Sequence, residues 1–210
     1  MAYFPMFVDL TNTNCLVIGG GHVALKKVNV LLDFDAKVHV IAREICMELA
    51  ALSEETDHLL LEQREFTPDD LQNRKLVVCA TDDNEFNSQI SMMCKDAKIP
   101  VNVVDDQALC TFIFPSYLKE QNLVGAFSSS GNSPALTQFL RNKEKEVLTP
   151  KLGELNEMLG RWRKPIKDLF PQESARKSAF EQLIDYALCY DGIPTDEEVE
   201  ELLGSISMTL

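Results

Sequence analysis

Gly19-Gly20-Gly21-His22-Val23-Ala24 stands between a short apolar run, Asn14 to Ile18, and a stretch with helical spacing. It fits G-x-G-x-x-A in a strand–turn–helix context. Gly19 would make the tight turn, and Gly21 would let a pyrophosphate approach the backbone. The small Ala24 would let helix and strand pack closely. The unpaired N–H groups and the positive end of the helix would then hold phosphates. The alternative is a glycine turn that only packs, but the context favours a dinucleotide site. His22 lies beside the phosphate position, as a backbone contributor with its ring toward solvent.

Ile41-Ala42-Arg43-Glu44 occupies the end of the second strand, where an acidic residue usually binds ribose hydroxyls. Glu44 can still reach a ribose, whereas Arg43 can meet a 2′-phosphate or simply be a solvated charge. These residues therefore leave NAD versus NADP open. Two acidic pairs follow strands: Asp82-Asp83 and Asp105-Asp106. The second lies at the carboxyl end of a parallel sheet, where a carboxylate near a nicotinamide can take a proton as a hydride leaves. Turn capping is the competing role. Ser128-Ser129-Ser130-Gly131-Asn132-Ser133-Pro134 places hydroxyls ahead of a helix start and suits carboxylates or phosphates. Capping by Ser133 explains part of the same pattern. None of the four tyrosines is followed four residues later by lysine, which removes the Tyr-x-x-x-Lys mechanism.

The elements that must position these groups alternate. Strands are expected at 14–18, 37–42, 76–80 and 101–104, with helices over 23–34 and through Phe86, Ile90, Met93 and Ala97. Thr67-Pro68 is expected to open a helix. Alternation of this kind implies an α/β fold with a parallel sheet. Phe112–Phe114 and Leu123–Phe127, flanking polar Lys119 to Asn122, are expected to form a hairpin. Ser133-Pro134 and Thr149-Pro150 each open a helix, the second with an amphipathic stripe and a kink near Pro165. A further helix runs to about Tyr190 and stops at Asp191-Gly192. Thr195 to Glu198 is a capping box for a last helix.

Composition sets the outer limits. The chain has 210 residues, 45% hydrophobic and 25% charged, with a formal charge of -13. Such acidity argues against nucleic acid and anionic lipid as partners. An anionic ligand must be held by local groups acting against the mean field. No run approaches the ~20 apolar residues of a membrane span. Met1 to Leu10 lacks the basic and apolar regions of a leader, so a cytoplasmic protein with reduced thiols is expected. His22, His39 and His58 share no metal-ligand spacing with one another or with a cysteine, so no metal site is expected.

Together these pieces resemble a known family. Tyr3 to Leu10, Leu16 to Ala24, Ala80-Thr81-Asp82-Asp83, Asn102 to Asp105 and Ser128 to Pro134 occur in the order of the precorrin-2 dehydrogenase module of siroheme synthases. The resemblance is close over about residues 1–160 and looser beyond. It implies a Rossmann-type NAD-binding domain over 1–112, a dimerisation segment of hairpin plus helix over 113–148, and a helical domain over 149–210. It also implies a homodimer. The implied activity is oxidation of precorrin-2 to sirohydrochlorin with NAD⁺ as hydride acceptor. Some members also insert ferrous iron, as a substrate, to make siroheme. By resemblance Asp105 is the general base, and Gly19, Gly21, His22, Val23, Ala24, Arg43, Glu44 and Thr81 contact the cofactor. Ser128, Ser129, Asn132 and Ser133 lie by the tetrapyrrole, with Lys119, Arg141 and Lys143 as nearby cations. Rival readings are a chelatase without the oxidation step and a non-catalytic nucleotide-sensing domain. Two residues depart from the family pattern: Ser130 replaces a loop glycine, and Asp35 stands where a glycine commonly ends the first helix.

Overall fold

The computed structural model describes residues 3–190 and 192–209. The chain divides into two compact units, Met1–Phe114 and Pro115–Leu210.

In the first unit the strands are β1 (Asn14–Ile18), β2 (Lys37–Ala42), β3 (Leu59–Gln63), β4 (Leu76–Cys79) and β5 (Val101–Val103). They form one sheet in the order β3-β2-β1-β4-β5, every pair parallel. The helices are α1 (His22–Asp33), α2 (Met47–Glu55) and α3 (Asn84–Asp96). Successive strand residues feed opposite cores. Cys15, Val17, Val38, Val40 and Val78 pack with Ala24, Val28 and Leu31 of α1 and Leu49 of α2. Leu16, Ile18, Ile41, Val77 and Cys79 pack with Ile90 and Cys94 of α3. Both faces are covered, so the strands are continuous apolar runs rather than alternating ones.

The sheet corrects several expectations. β3 and α2 were not expected. β3 is an edge strand whose residues after Leu59 are exposed or half-buried, so its sequence carries no full apolar run. Thr67-Pro68 opens only a short 3₁₀ turn, Pro68–Leu71, closed by a Thr67–Asp70 capping box. Asp83 caps α3 by accepting from the Phe86 N–H at 2.9 Å. Asp35 takes φ 57, the left-handed conformation that ends α1.

The second unit holds β6 (Ser116–Glu120), β7 (Leu123–Phe127), α4 (Pro134–Glu144), α5 (Pro150–Leu169), α6 (Glu173–Cys189) and α7 (Asp196–Thr209). β6 and β7 pair antiparallel across Gln121-Asn122, with Gln121 at φ 54. The hairpin therefore begins after Phe112 and Phe114, not at them. Those rings pack against the α1 side of the first sheet, 5.3 Å apart, and Lys119 and Glu120 belong to β6. α5 runs on through Pro165. Leu155, Met158, Ile166, Leu183, Val199 and Leu203 form the core of α5, α6 and α7. The Trp162 indole N–H donates to Asp196 at 3.0 Å, tying α5 to α7. Thr195 and Glu198 form the expected capping box, at 2.8 and 3.3 Å. The α6 stop falls at Tyr190, and Asp191 lies outside the described residues. No helix among the described residues is long and apolar enough to cross a membrane.

Candidate functional site

The carboxyl ends of β1, β2 and β4 converge on the glycine turn. β1 is where the strand order reverses, the place where open α/β sheets bind ligands. Gly19 takes φ 119, and a Cβ there would collide with the Ala80 carbonyl oxygen. A Cβ on Gly20 would collide with the Glu44 carbonyl oxygen, with the Ala42 side chain at 2.9 Å. These two glycines are demanded by the protein itself. Gly21 is not: its backbone is extended, and a Cβ there meets nothing within 4 Å. The open space at Gly21 is a cradle that a side chain would fill. It adjoins the start of α1, which has no side-chain cap and no acidic residue in its first turn. α3 by contrast is capped by Asp83 and carries Glu85 in its first turn. The uncapped N–H groups and bare helix end of α1 fit the pyrophosphate of a dinucleotide. Ala24 is fully buried in the core below, and Val23 is 44% exposed at the rim.

Around this turn the predicted contacts fall into place unevenly. Glu44 is exposed, with its backbone against Gly20. Arg43 pairs with Glu65 at 3.1 Å. The Thr81 hydroxyl donates to Asn87 at 2.7 Å, and the Asn87 amide donates back to the Thr81 carbonyl at 2.9 Å. That clasp fixes the loop after β4, and sequence reasoning missed Asn87. The His22 ring is exposed and 3.5 Å from Glu48. Cys46 donates its N–H to the Gly20 carbonyl at 2.8 Å. The fold thus brings donor atoms of His22, Cys46 and Glu48 within 4.8 Å of one another. Sequence spacing could not show this, because it is made by two different helix starts.

The second acidic pair splits into two roles. The Asp106 carboxylate accepts from Ala108 and Leu109 N–H groups at 3.0 and 3.3 Å and caps a short 3₁₀ turn. Asp105 is exposed, takes φ 62, and makes no hydrogen bond among the described residues. Aspartate enters the left-handed region more readily than most residues, and here, as at Asp35, it turns the chain. The charge facing Asp105 comes from Lys27 of α1, a half-buried lysine whose ammonium lies 4.3 Å from the Phe114 ring centroid. Burial lowers the Lys27 pKa, and attraction to Asp105 and Cys110 partly offsets this. Lys27 was missed in the sequence, though a cation beside Ala24, Val28 and Leu31 on a buried helix face was the available signal. Asn102 is structural: its amide donates to the Phe112 carbonyl at 3.0 Å. Burial pushes the Cys79 thiol well above its ordinary range, so the sulfur beneath the site is inert.

In the second unit, the serine turn runs from the end of β7 to α4. The Ser128 hydroxyl accepts from Ser130 N–H at 3.1 Å, Ser129 from Ser133 N–H at 2.9 Å, and Ser133 from Leu136 N–H at 3.2 Å. Ser130 and Gly131 take φ 54 and 84. The serine that replaces a family glycine therefore holds a left-handed conformation itself. Asn132 is exposed. Of the nearby cations, Arg141 donates to the Tyr117 carbonyl at 2.7 Å and Lys143 is exposed.

The chain resembles known proteins over most of its length. Residues 6–116 match a family model described as "Putative NAD(P)-binding". The siroheme synthase of Mannheimia succiniciproducens is 40% identical over 185 residues, 88% of this chain and 39% of that protein. That of Nitrosomonas europaea is 36% identical over 184 residues, 88% of this chain and 39% of that protein. The chain thus spans about two fifths of the length of these relatives. The solved structure of SirC, precorrin-2 dehydrogenase, superposes with a TM-score of 0.78 at 22% identity, covering 98% of this chain and 100% of that one. That likeness extends the shared fold over both units.

Proposed function

Because the chain belongs to the NAD(P)-binding family that its residues 6–116 match, and its relatives are siroheme synthases, we propose that it oxidises precorrin-2 to sirohydrochlorin with NAD⁺. The observation that carries the reading is the pairing of an open glycine cradle after β1 with an exposed, hydrogen-bond-free carboxylate after β5, at the same carboxyl edge of the sheet with β4 between them. Gly21, His22 and Val23 would hold the pyrophosphate over a turn shaped by Gly19 and the buried Ala24, and Glu44 would hold the ribose. Glu44 and Arg43 are both exposed at that strand end, with Arg43 paired to Glu65 across solvent, and NAD⁺ is the cofactor proposed. Bound NAD⁺ supplies the hydride acceptor. Asp105 takes the proton that leaves the substrate, and Lys27 presents positive charge to it. The hydroxyl protons of Ser128, Ser129 and Ser133, with Asn132, donate to substrate carboxylates.

A homodimer goes with this reading. Leu136, Phe139 and Val147, on and just after α4, are 52%, 56% and 61% exposed, an apolar stripe beside a two-stranded ribbon. Covering each such side chain is worth roughly 1.5–3 kcal/mol, and a second copy of the same segment is the occupant proposed. Iron insertion is proposed as a second use of Asp105, whose free carboxylate suits removal of pyrrole protons.

The test is anaerobic mixing of the protein with precorrin-2 and NAD⁺, following tetrapyrrole absorbance and NADH together. Sirohydrochlorin should form in step with NADH. Asp105→Asn should lower kcat by about 10²–10⁴-fold with NAD⁺ affinity unchanged. Wild-type turnover in that variant removes the mechanism. Tight NAD⁺ binding without any turnover favours a nucleotide-sensing domain. Siroheme formed from sirohydrochlorin and ferrous iron without NAD⁺ identifies the chelatase.

A further inference from the structure

In the second unit, a cavity of about 780 Å³ runs along α5. Asn156, Gly160, Arg163 and Lys167 line it at spacings of four, three and four, one stripe of a helix. Arg176 of α6 and Asn122 of the hairpin turn complete the polar lining. Arg163 and Lys167 make no hydrogen bond or ion pair among the described residues. The Arg176 guanidinium is anchored by neutral acceptors, the carbonyls of Phe170 at 3.1 Å and Pro171 at 2.6 Å, so its charge is not cancelled. Glu157 also lines the cavity and accepts from the Asn122 amide at 2.8 Å. One carboxylate against three cations leaves the cavity positive in a chain of net charge -13. Gly160, exposed and in mid-helix, also lines it at a position where glycine is among the least favourable residues. No packing explains it, since a Cβ there would meet nothing within 4 Å.

We propose that this cavity is a binding site for a small polycarboxylate, and, resting on the function proposed above, that it receives acetate and propionate groups of the tetrapyrrole. Arg163 and Arg176 present planar forks that match carboxylates bidentately. Lys167 supplies a point charge, Asn122 and Asn156 supply amide donors, and Gly160 lets the ligand approach the helix backbone.

Trp162, the only tryptophan in the chain, immediately precedes Arg163, with its indole N–H fixed on Asp196. Its fluorescence reports on this helix. The experiment titrates sirohydrochlorin into the full chain and its variants without NAD⁺. Arg163→Gln with Lys167→Gln should weaken binding tenfold or more. Arg161→Gln with Lys164→Gln removes the same charge from exposed positions that do not line the cavity, and should change it less than twofold. Gly160→Ala should raise Tm, through better helix propensity, while weakening sirohydrochlorin binding. NAD⁺ affinity should stay constant throughout. Equal losses in the two double variants, less than a twofold loss in the lining variant, or no binding of sirohydrochlorin by the wild type would each overturn the site. The two readings fail separately. Binding through these residues with no NADH from precorrin-2 strikes the dehydrogenase and keeps the site. Normal NADH formation with an unchanged KM in the lining variant strikes the site and keeps the dehydrogenase.

Discussion

The glycine turn ahead of α1 and the serine turn ahead of α4 hold the same place in a strand–turn–helix and are made from opposite materials. The first is bare backbone. No side chain caps α1, so its N–H groups stay available to a ligand. In the second, three backbone N–H groups are already taken by serine oxygens. The hydroxyl protons of those serines are left to donate. Unpaired N–H groups at a helix end suit a charged phosphate. Hydroxyl donors on a self-bonded loop suit carboxylate oxygens, one at a time. Two helix starts in one chain can therefore select different anions without any difference in net charge.

The sharpest way to break this comparison is inside the glycine turn. Gly21→Val should weaken NAD⁺ on the order of a hundredfold, about 2.7 kcal/mol, with little change in Tm, because the space it fills is empty of protein. Gly19→Ala should do the reverse and destabilise the fold by roughly 3 kcal/mol, through collision with Ala80 and the left-handed backbone. Calorimetry for NAD⁺ and a thermal melt separate the two. If Gly21→Val binds NAD⁺ normally, the turn only packs.

A smaller effect is expected in the serine turn. Ser129→Ala strands the Ser133 N–H and removes one hydroxyl proton. It should cost about 1 kcal/mol of stability and raise KM for precorrin-2 about tenfold, with NAD⁺ affinity unchanged. A matching loss of NAD⁺ affinity would erase the distinction between the turns. The smallest effect is a gain. Ser130→Gly relieves a left-handed residue at φ 54 and should stabilise the protein by about 1 kcal/mol, some 2–4 °C in Tm.

The sequence disclosed those parts of the fold whose burial is complete. β1, β2, β4 and β5 are apolar runs enclosed on both faces, and α1 and α3 show their buried stripes. β3 and α2 escaped notice because each is covered on one side only and mixes polar with apolar residues. The hairpin was placed too early because Phe112 and Phe114 are as apolar as strand residues, although they serve the first core. The glycine turn was legible because its chemistry is local. Asp105 and Asp106 were not separable, since capping and a positive φ depend on three-dimensional neighbours. Lys27 and Asn87 act on partners that only the folded chain brings close.

The position of Cys46 has a practical consequence. Its backbone is bonded to Gly20 behind the cofactor cradle, and its side chain is half-buried, whereas Cys189 at the end of α6 is exposed. The other four cysteines are buried. A thiol-alkylating reagent therefore meets two addressable positions, one in each unit. Mass spectrometry of the labelled peptides should find Cys46 shielded when NAD⁺ is present and Cys189 labelled at a constant rate, giving a footprint of cofactor occupancy with its own internal standard and no need of substrate.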